Sequence, residues 1–428
     1  MTVGYEALVK HLNVVGPEPF GLLSREALPT AGILSNEFGP LLKCLFSPEH
    51  GWFGFAAAGE KTQGEPHPYW GVPIHSLYGD VRRPTPEMLE GLGRVVVDLQ
   101  DIGVRCYTYL ATLKLMLEAC AEAGVAVTVL DRPVPLGGIV DGPMRDMVFA
   151  SFVAPLNVPF CHGMTPAECA KFIVREEQLD LDLTVIKLRD WSHADRTPWH
   201  DFMPPSPAIR SWDCAALYPA TVFTEAYSAV DCDRSGSLAF RVVGAPWLDI
   251  AKLLDDFMDP LPACGMGVRP IRYRPAGGAY TGQTLNGLLL SIENPDAFYP
   301  VTAGVIILAA LLHRHRDEMT ENARTDWLDK LVGSTGLRDA LANKNLSDLF
   351  QSWIDAQDAY LPTKVDLYAQ GRDKRGRSRF QSLRPSKAEP SELNESDLPA
   401  LAAIQSATSC ASASRAISSG VRGLSGFA

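Results

Sequence analysis

Acid–base side chains collect where apolar runs end. The run "LLKCLF" (41–46) is followed by Ser47, Pro48, Glu49 and His50, and then by Gly51, Trp52, Phe53 and Gly54. "RVVVDLQD" (94–101) ends in Asp98, Gln100 and Asp101, with Gly103, Arg105, Tyr107 and Tyr109 close behind. After "VAVTVL" come Asp131 and Arg132, then "PVPLGG" and Asp141. Paired carboxyl groups suit general acid–base work. The acid of such a pair must hold a proton near neutral pH, which takes burial or a nearby like charge. Charges are costly to bury without partners. Three successive run ends bearing acids, arginines and glycines therefore point to one shared cleft, with Glu49 and His50 as one wall. Trp52 and Phe53 offer flat apolar faces of the kind that cover sugar rings.

Plainer roles stand beside these. Glu49 could pair with an arginine, and Asp131 with Arg132, for stability alone. His50 could hydrogen-bond a main-chain carbonyl, Asp98 could orient a neighbour, and Tyr107 and Tyr109 could be core aromatics.

The elements that must position these residues follow from pattern. "GLLS" (21–24), "LLKCLF", "VPIHSLYG" (72–79), "RVVVDLQD", "VAVTVLDRP" (125–133) and "LDLTVIKLRDW" (181–191) read as strands. Residues 109–124 carry apolar positions at helical spacing and stop at a glycine, and Thr165, Pro166 and Glu168 make a capped helix start. Near-continuous apolar strands alternating with helices predict a Rossmann-like α/β domain with a parallel sheet covered on both faces. Ligands bind such a sheet beyond the carboxyl ends of its strands. Past residue 240 the texture becomes that of a smaller α+β domain, with strands around glycine turns in 267–298 and a helix over 300–316. The expected division is 1–240, 241–372 and a low-complexity tail, 373–428. That tail has six Lys or Arg in 373–387, then Ser and Ala with few large apolar residues, a composition expected to stay disordered.

Composition narrows the classes. The 428 residues are 46% hydrophobic and 21% charged, with a net charge of −11 that argues against an extended nucleic-acid footprint. The run 303–312 is too short to span a bilayer, and residues 1–16 lack the basic patch and long apolar core of a secretory leader, so a cytoplasmic protein is expected. Nine scattered cysteines form no CxxC pair, which fits free thiols in a reducing compartment. "DRSGS" (233–237) lacks the features of a phosphate loop, and neither GxGxxG nor GxSxG occurs. No cofactor is called for, the histidines lack HxxxH spacing for a zinc site, and nothing sets an oligomeric state.

The strand-end motifs are similar to those of a known family. "SPEHG" (47–51), "IHSLYG" (74–79) with "RRPTPEML" (82–89), "DLQDIGVRCYTYLATL" (98–113), "LDRPVPLGG" (130–138), "HGMTPAE" (162–168), "PPSPAI" (204–209) and "GAPW" (244–247) occur in the order seen in the exo-β-N-acetylmuramidase family. The resemblance covers roughly residues 20–370. It implies a Rossmann-like domain, a smaller C-terminal domain and an active site in the cleft between them. It implies release of terminal N-acetylmuramic acid from the non-reducing end of peptidoglycan fragments, with the glutamate of the PEHG motif, here Glu49, as catalytic acid. The family's Glu-Gly-Thr-Asn and Gly-Arg-Gly-Thr stretch reads "TEAYSAVDCDRSGS" (224–237) here, with Glu225 and Arg234 in the places of its acid and arginine. For the second carboxyl group Glu225 stands ahead of Asp101 and Asp141. His50, Arg105, Tyr107, Asp131, Arg132, Asp141, His162 and Arg234 are the expected substrate contacts, the arginines for the lactyl carboxylate. Two rival readings remain, a metal-dependent hydrolase using Glu49, His50 and Asp98, and a muramyl-sugar binder without turnover.

Overall fold

Short runs of Val, Leu, Ile and Phe bounded by glycine, proline and acid become strands that are buried along most of their length. The computed structural model describes residues 16–25, 28–196, 198 and 202–368, and the 373–428 tail lies outside them. In chain order the strands are β1 (Phe20–Leu23), β2 (Leu42–Ser47), β3 (Ile74–Ser76), β4 (Arg94–Val97), β5 (Ala126–Leu130), β6 (Val140–Asp141), β7 (Cys161–His162), β8 (Leu183–Ile186), β9 (Val242–Ala245), β10 (Met266–Tyr273) and β11 (Leu285–Ile292). Six of them form a wholly parallel sheet in the order β3-β2-β1-β4-β5-β8. This is the doubly wound arrangement that the apolar patterning predicts. The order reverses between β1 and β4, which opens a crevice beyond their carboxyl ends.

Helices cover the sheet. Tyr109–Ala123 connects β4 to β5 and ends on Gly124, whose φ of 66° is the left-handed turn that closes a helix. Pro166–Glu176 connects the small β6–β7 hairpin to β8 and starts with a full capping box from Thr165 and Glu168.

The second unit is an antiparallel sheet, β10-β11-β9, against the Ile250–Phe257 and Pro260–Ala263 helices, with the Pro300–Arg314 helix packed on those two and further helices running to Tyr360. Its core is continuous with that of the first: Leu23, Val97 and Phe160 share one buried cluster with Phe223, Leu288, Val305 and Val332. The Pro300–Arg314 helix meets the Trp212–Thr221 helix closely at Gly304, where a Cβ would lie 2.4 Å from the Ala220 carbonyl oxygen. No helix among the described residues is long and apolar enough to cross a membrane.

Candidate active site

Three strand ends of the switch region supply one wall. After β2 the chain turns sharply through His50 (φ 75°) and Gly51 (φ 73°), both left-handed. The turn brings Glu49 back under its own loop, where Oε1 accepts from the Gly59 N–H at 2.8 Å. Its Oε2 accepts from the Thr108 hydroxyl at 2.5 Å. Thr108 is the residue before the Tyr109–Ala123 helix, yet its side chain caps nothing. Its hydroxyl is directed at Glu49 instead of at the helix N–H groups. The Tyr78 hydroxyl, beyond β3, lies against the same carboxyl, and burial followed by the Glu49 charge holds its pKa up to about 12.

His50 Nδ1 bonds the Ala56 carbonyl at 2.8 Å, and the Ala56 N–H returns to the His50 carbonyl. Burial holds the imidazole below its ordinary pKa, against the pull of the Ala56 carbonyl and Glu49 and with the push of Arg25 and Arg234. Arg25, just past β1, donates to the Pro204 carbonyl at 2.9 Å and to the Gly54 carbonyl at 3.4 Å. The loop arc between Glu49 and Gly59 thus has fixed ends. At its tip Phe53 and Phe55 stack at 6.1 Å and are 43% and 80% exposed, whereas Trp52 is 2% exposed and packs in the core. Of the aromatic pair expected to face sugar, Phe53 reaches the surface and Trp52 does not.

A second pair of charges comes from the segment 222–240. Arg234 pairs with Glu225 at 3.0 Å. Burial works against the Arg234 charge, but Glu225, Cys232, Tyr218 and Glu49 together outweigh it and raise its pKa. One guanidinium is thus within electrostatic range of both Glu225, which it contacts, and Glu49.

Other expected contacts go elsewhere. Arg105 is fully buried and its guanidinium serves three main-chain carbonyls, Pro143 at 2.9 Å, Val158 at 2.5 Å and Val332. Arg132 is 2% exposed and pairs through two nitrogens with both oxygens of the fully buried Asp98, which Thr30 also bonds. Neither arginine is open to a substrate carboxylate. The same pair removes the geometric basis for a metal triad of Glu49, His50 and Asp98.

Asp131 accepts from the Thr165 hydroxyl, the Ala167 N–H and the Tyr368 hydroxyl, so it anchors the start of the Pro166–Glu176 helix. Asp141 accepts from the Val301 and Thr302 N–H groups and the Thr302 hydroxyl, which caps the Pro300–Arg314 helix. Burial pushes the Asp131 carboxyl up to about 7 and that of Asp141 up to about 6. Asp101 accepts from the Gly103 N–H at 2.7 Å, and burial raises it to about 7. It lines a small cavity with Tyr109, Pro166 and Cys169.

His162 is 1% exposed. Its Nδ1 accepts from the Met164 N–H, its Nε2 has no partner, and burial drives its pKa down to about 3. Tyr107 is 6% exposed and lies 4.9 Å from the Tyr109 ring in the core. His193 Nε2 lies 3.0 Å from Glu168 and 3.6 Å from Asp366, a cluster with metal-ligand spacing. Glu168 already receives the Thr165 and Leu367 N–H groups, so this cluster clips the 366–368 segment to the first unit.

Sequence reading missed Arg25, Gly59, Tyr78 and Thr108. Tyr78 and Thr108 lie within the quoted motifs "IHSLYG" and "RCYTYLATL", but nothing in a lone hydroxyl indicates where it points.

The chain is 34% identical over 308 residues to the peptidoglycan β-N-acetylmuramidase NamZ of Bacillus subtilis, covering 71% of this chain and 73% of that one. A solved DUF1343 family protein of Bacteroides fragilis superposes with a TM-score of 0.75 at 25% identity, over 84% of this chain and 96% of that one. A second from the same organism gives a TM-score of 0.65 at 24% identity, over 85% and 98%. Residues 22–213 match the N-terminal domain, and residues 216–368 the C-terminal domain, of the exo-β-N-acetylmuramidase NamZ family. Glu49 lies in the first matched stretch and Glu225 and Arg234 in the second, and this chain belongs to the exo-β-N-acetylmuramidase NamZ family.

Proposed function

We propose that this chain is an exo-acting glycosidase that releases terminal N-acetylmuramic acid from the non-reducing ends of peptidoglycan fragments. The supporting observation is the pair of glutamates related through one arginine: Glu49 bonded by Gly59 and Thr108, and Glu225 held by Arg234. Glu49 protonates the leaving glycosidic oxygen, and Glu225 is the second carboxyl group, acting on the sugar or on the attacking water. Tyr78 positions Glu49 through its hydroxyl, and His50 fixes the loop that carries it through the Ala56 carbonyl. The reading extends to the turnover of cell-wall fragments in a reducing compartment, which the eight free, buried cysteines among the described residues support.

The test is Glu49→Gln, nearly isosteric, assayed on a chromogenic N-acetylmuraminide with the matched N-acetylglucosaminide as control. Loss of general acid catalysis lowers kcat by about 10²–10⁴-fold with the circular dichroism spectrum unchanged. Retention of more than about a tenth of the wild-type rate would overturn the role of Glu49. A wild-type protein that binds muramyl sugars without cleaving them would instead favour the binding-protein reading.

A further inference from the structure

N-Acetylmuramic acid differs from N-acetylglucosamine by a lactyl ether that ends in a carboxylate, so a site selective for it needs a cation the cleft can reach. Arg105 and Arg132 are interior, Arg25 serves two carbonyls, and Arg234 already faces Glu225. The motif "RRPTPEML" carries two more arginines with different fates. Arg83 pairs with Glu122 at 2.5 Å. Arg82 is exposed, and it makes no hydrogen bond or ion pair to another described residue.

Arg82 is nevertheless held in place. Its guanidinium carbon sits 5.1 Å from the Tyr78 ring centroid and 4.5 Å from that of Phe152, and those two rings are 5.7 Å apart. Aromatic seating covers a face of the guanidinium and leaves its N–H edges open, the geometry suited to a bidentate carboxylate. Tyr78 is also the residue whose hydroxyl lies against Glu49. A continuous path of two contacts thus runs from the proposed acid to an oriented guanidinium with open donors.

We propose that Arg82, seated on Tyr78 and Phe152, is the specificity-determining residue that binds the lactyl carboxylate of the terminal muramyl sugar. The proposal rests on the muramidase reading for its substrate, and it assigns a function to a motif that acid–base chemistry leaves unused. A charge-assisted, two-point contact of this kind gives about a ten- to a hundredfold preference for the acid over a neutral analogue.

Two measurements separate this inference from the hydrolase reading. The first compares kcat/KM for a chromogenic N-acetylmuraminide and its lactyl methyl ester in wild type, Arg82→Met and Arg82→Lys. The wild type prefers the acid by about tenfold or more, Arg82→Met loses that preference chiefly through KM, and Arg82→Lys keeps part of it. The second is calorimetric binding of N-acetylmuramic acid and N-acetylglucosamine to the same proteins, which needs no turnover. A muramyl preference in binding that Arg82→Met removes upholds the inference even if the wild type cleaves nothing, in which case only the hydrolase reading falls. No preference in the wild type, or a preference that survives Arg82→Met in a variant with an unchanged melting temperature, overturns it.

Discussion

Thr108 shows how a single side chain can be diverted from structure to function. A threonine before a helix ordinarily caps it, yet this hydroxyl bonds Glu49 and leaves the cap unmade. Thr108→Val should therefore cost little stability while lowering kcat by about tenfold, the value of one hydrogen bond to a charged group. Equal kcat in the variant would mean that the bond is idle. Arg132 carries the opposite expectation. Arg132→Met strands the buried Asp98 charge, and urea unfolding should record a loss of about 3–5 kcal/mol. An unchanged midpoint would put Arg132 back among the substrate contacts. His162 supplies a pH signature. Its folded pKa is depressed from 6.5 to about 3, so the unfolded chain binds the extra proton first. Its stabilising effect is complete above about pH 6.5 and is lost as pH falls toward about 3, amounting to about 2 kcal/mol at about pH 5. His162→Leu should flatten that part of the stability–pH curve, and parallel curves for the two proteins would count against it. At this scale the sequence was only half legible. Position after a strand drew Glu49, Arg105, Asp131 and Arg132 into one set, but the direction in which each side chain turns depends on partners hundreds of residues away, such as Val332 and Tyr368.

Elements were more readable than residues because burial imposes a period. β2, β4 and β5 are buried through most of their length, and that is why they appear as unbroken apolar runs. The capped start at Thr165 was equally plain, since a capping box is local chemistry. The Trp212–Thr221 helix was not read, because Pro219 lies inside it and breaks the pattern that marks a helix. Its partner illustrates a conflict between local and tertiary preference. Gly304→Ala raises helix propensity by about 1 kcal/mol. The new methyl would meet the Ala220 backbone at 2.4 Å, which a flexible side chain could yield to but a packed helix cannot. Overpacking of about 1–3 kcal/mol should win, lowering the melting temperature by about 2–4 °C. A rise in melting temperature would show that the helices separate easily.

Among the described residues the two units are tied together by bonds from one to the other. Asp141 of the first caps the Pro300–Arg314 helix of the second, Arg105 bonds the Val332 carbonyl, and the Tyr360 hydroxyl bonds the His162 carbonyl. Scanning calorimetry should show a single transition with matching calorimetric and van't Hoff enthalpies, whereas two resolved transitions would mean that the domains unfold independently. The donors around Asp131 also set an order in time. Thr165 and Ala167 lie only 34 and 36 residues beyond it and can close on the carboxyl early in synthesis. Tyr368 lies 237 residues beyond it, so its hydroxyl arrives when nearly the whole catalytic body has left the ribosome. Until then the nascent sheet carries a partly satisfied carboxyl just beyond the end of β5, and completion of the first unit waits on residues that follow the second unit's helices. A chain released short of residue 368 is therefore marked as unfinished in its interior, well away from its broken end.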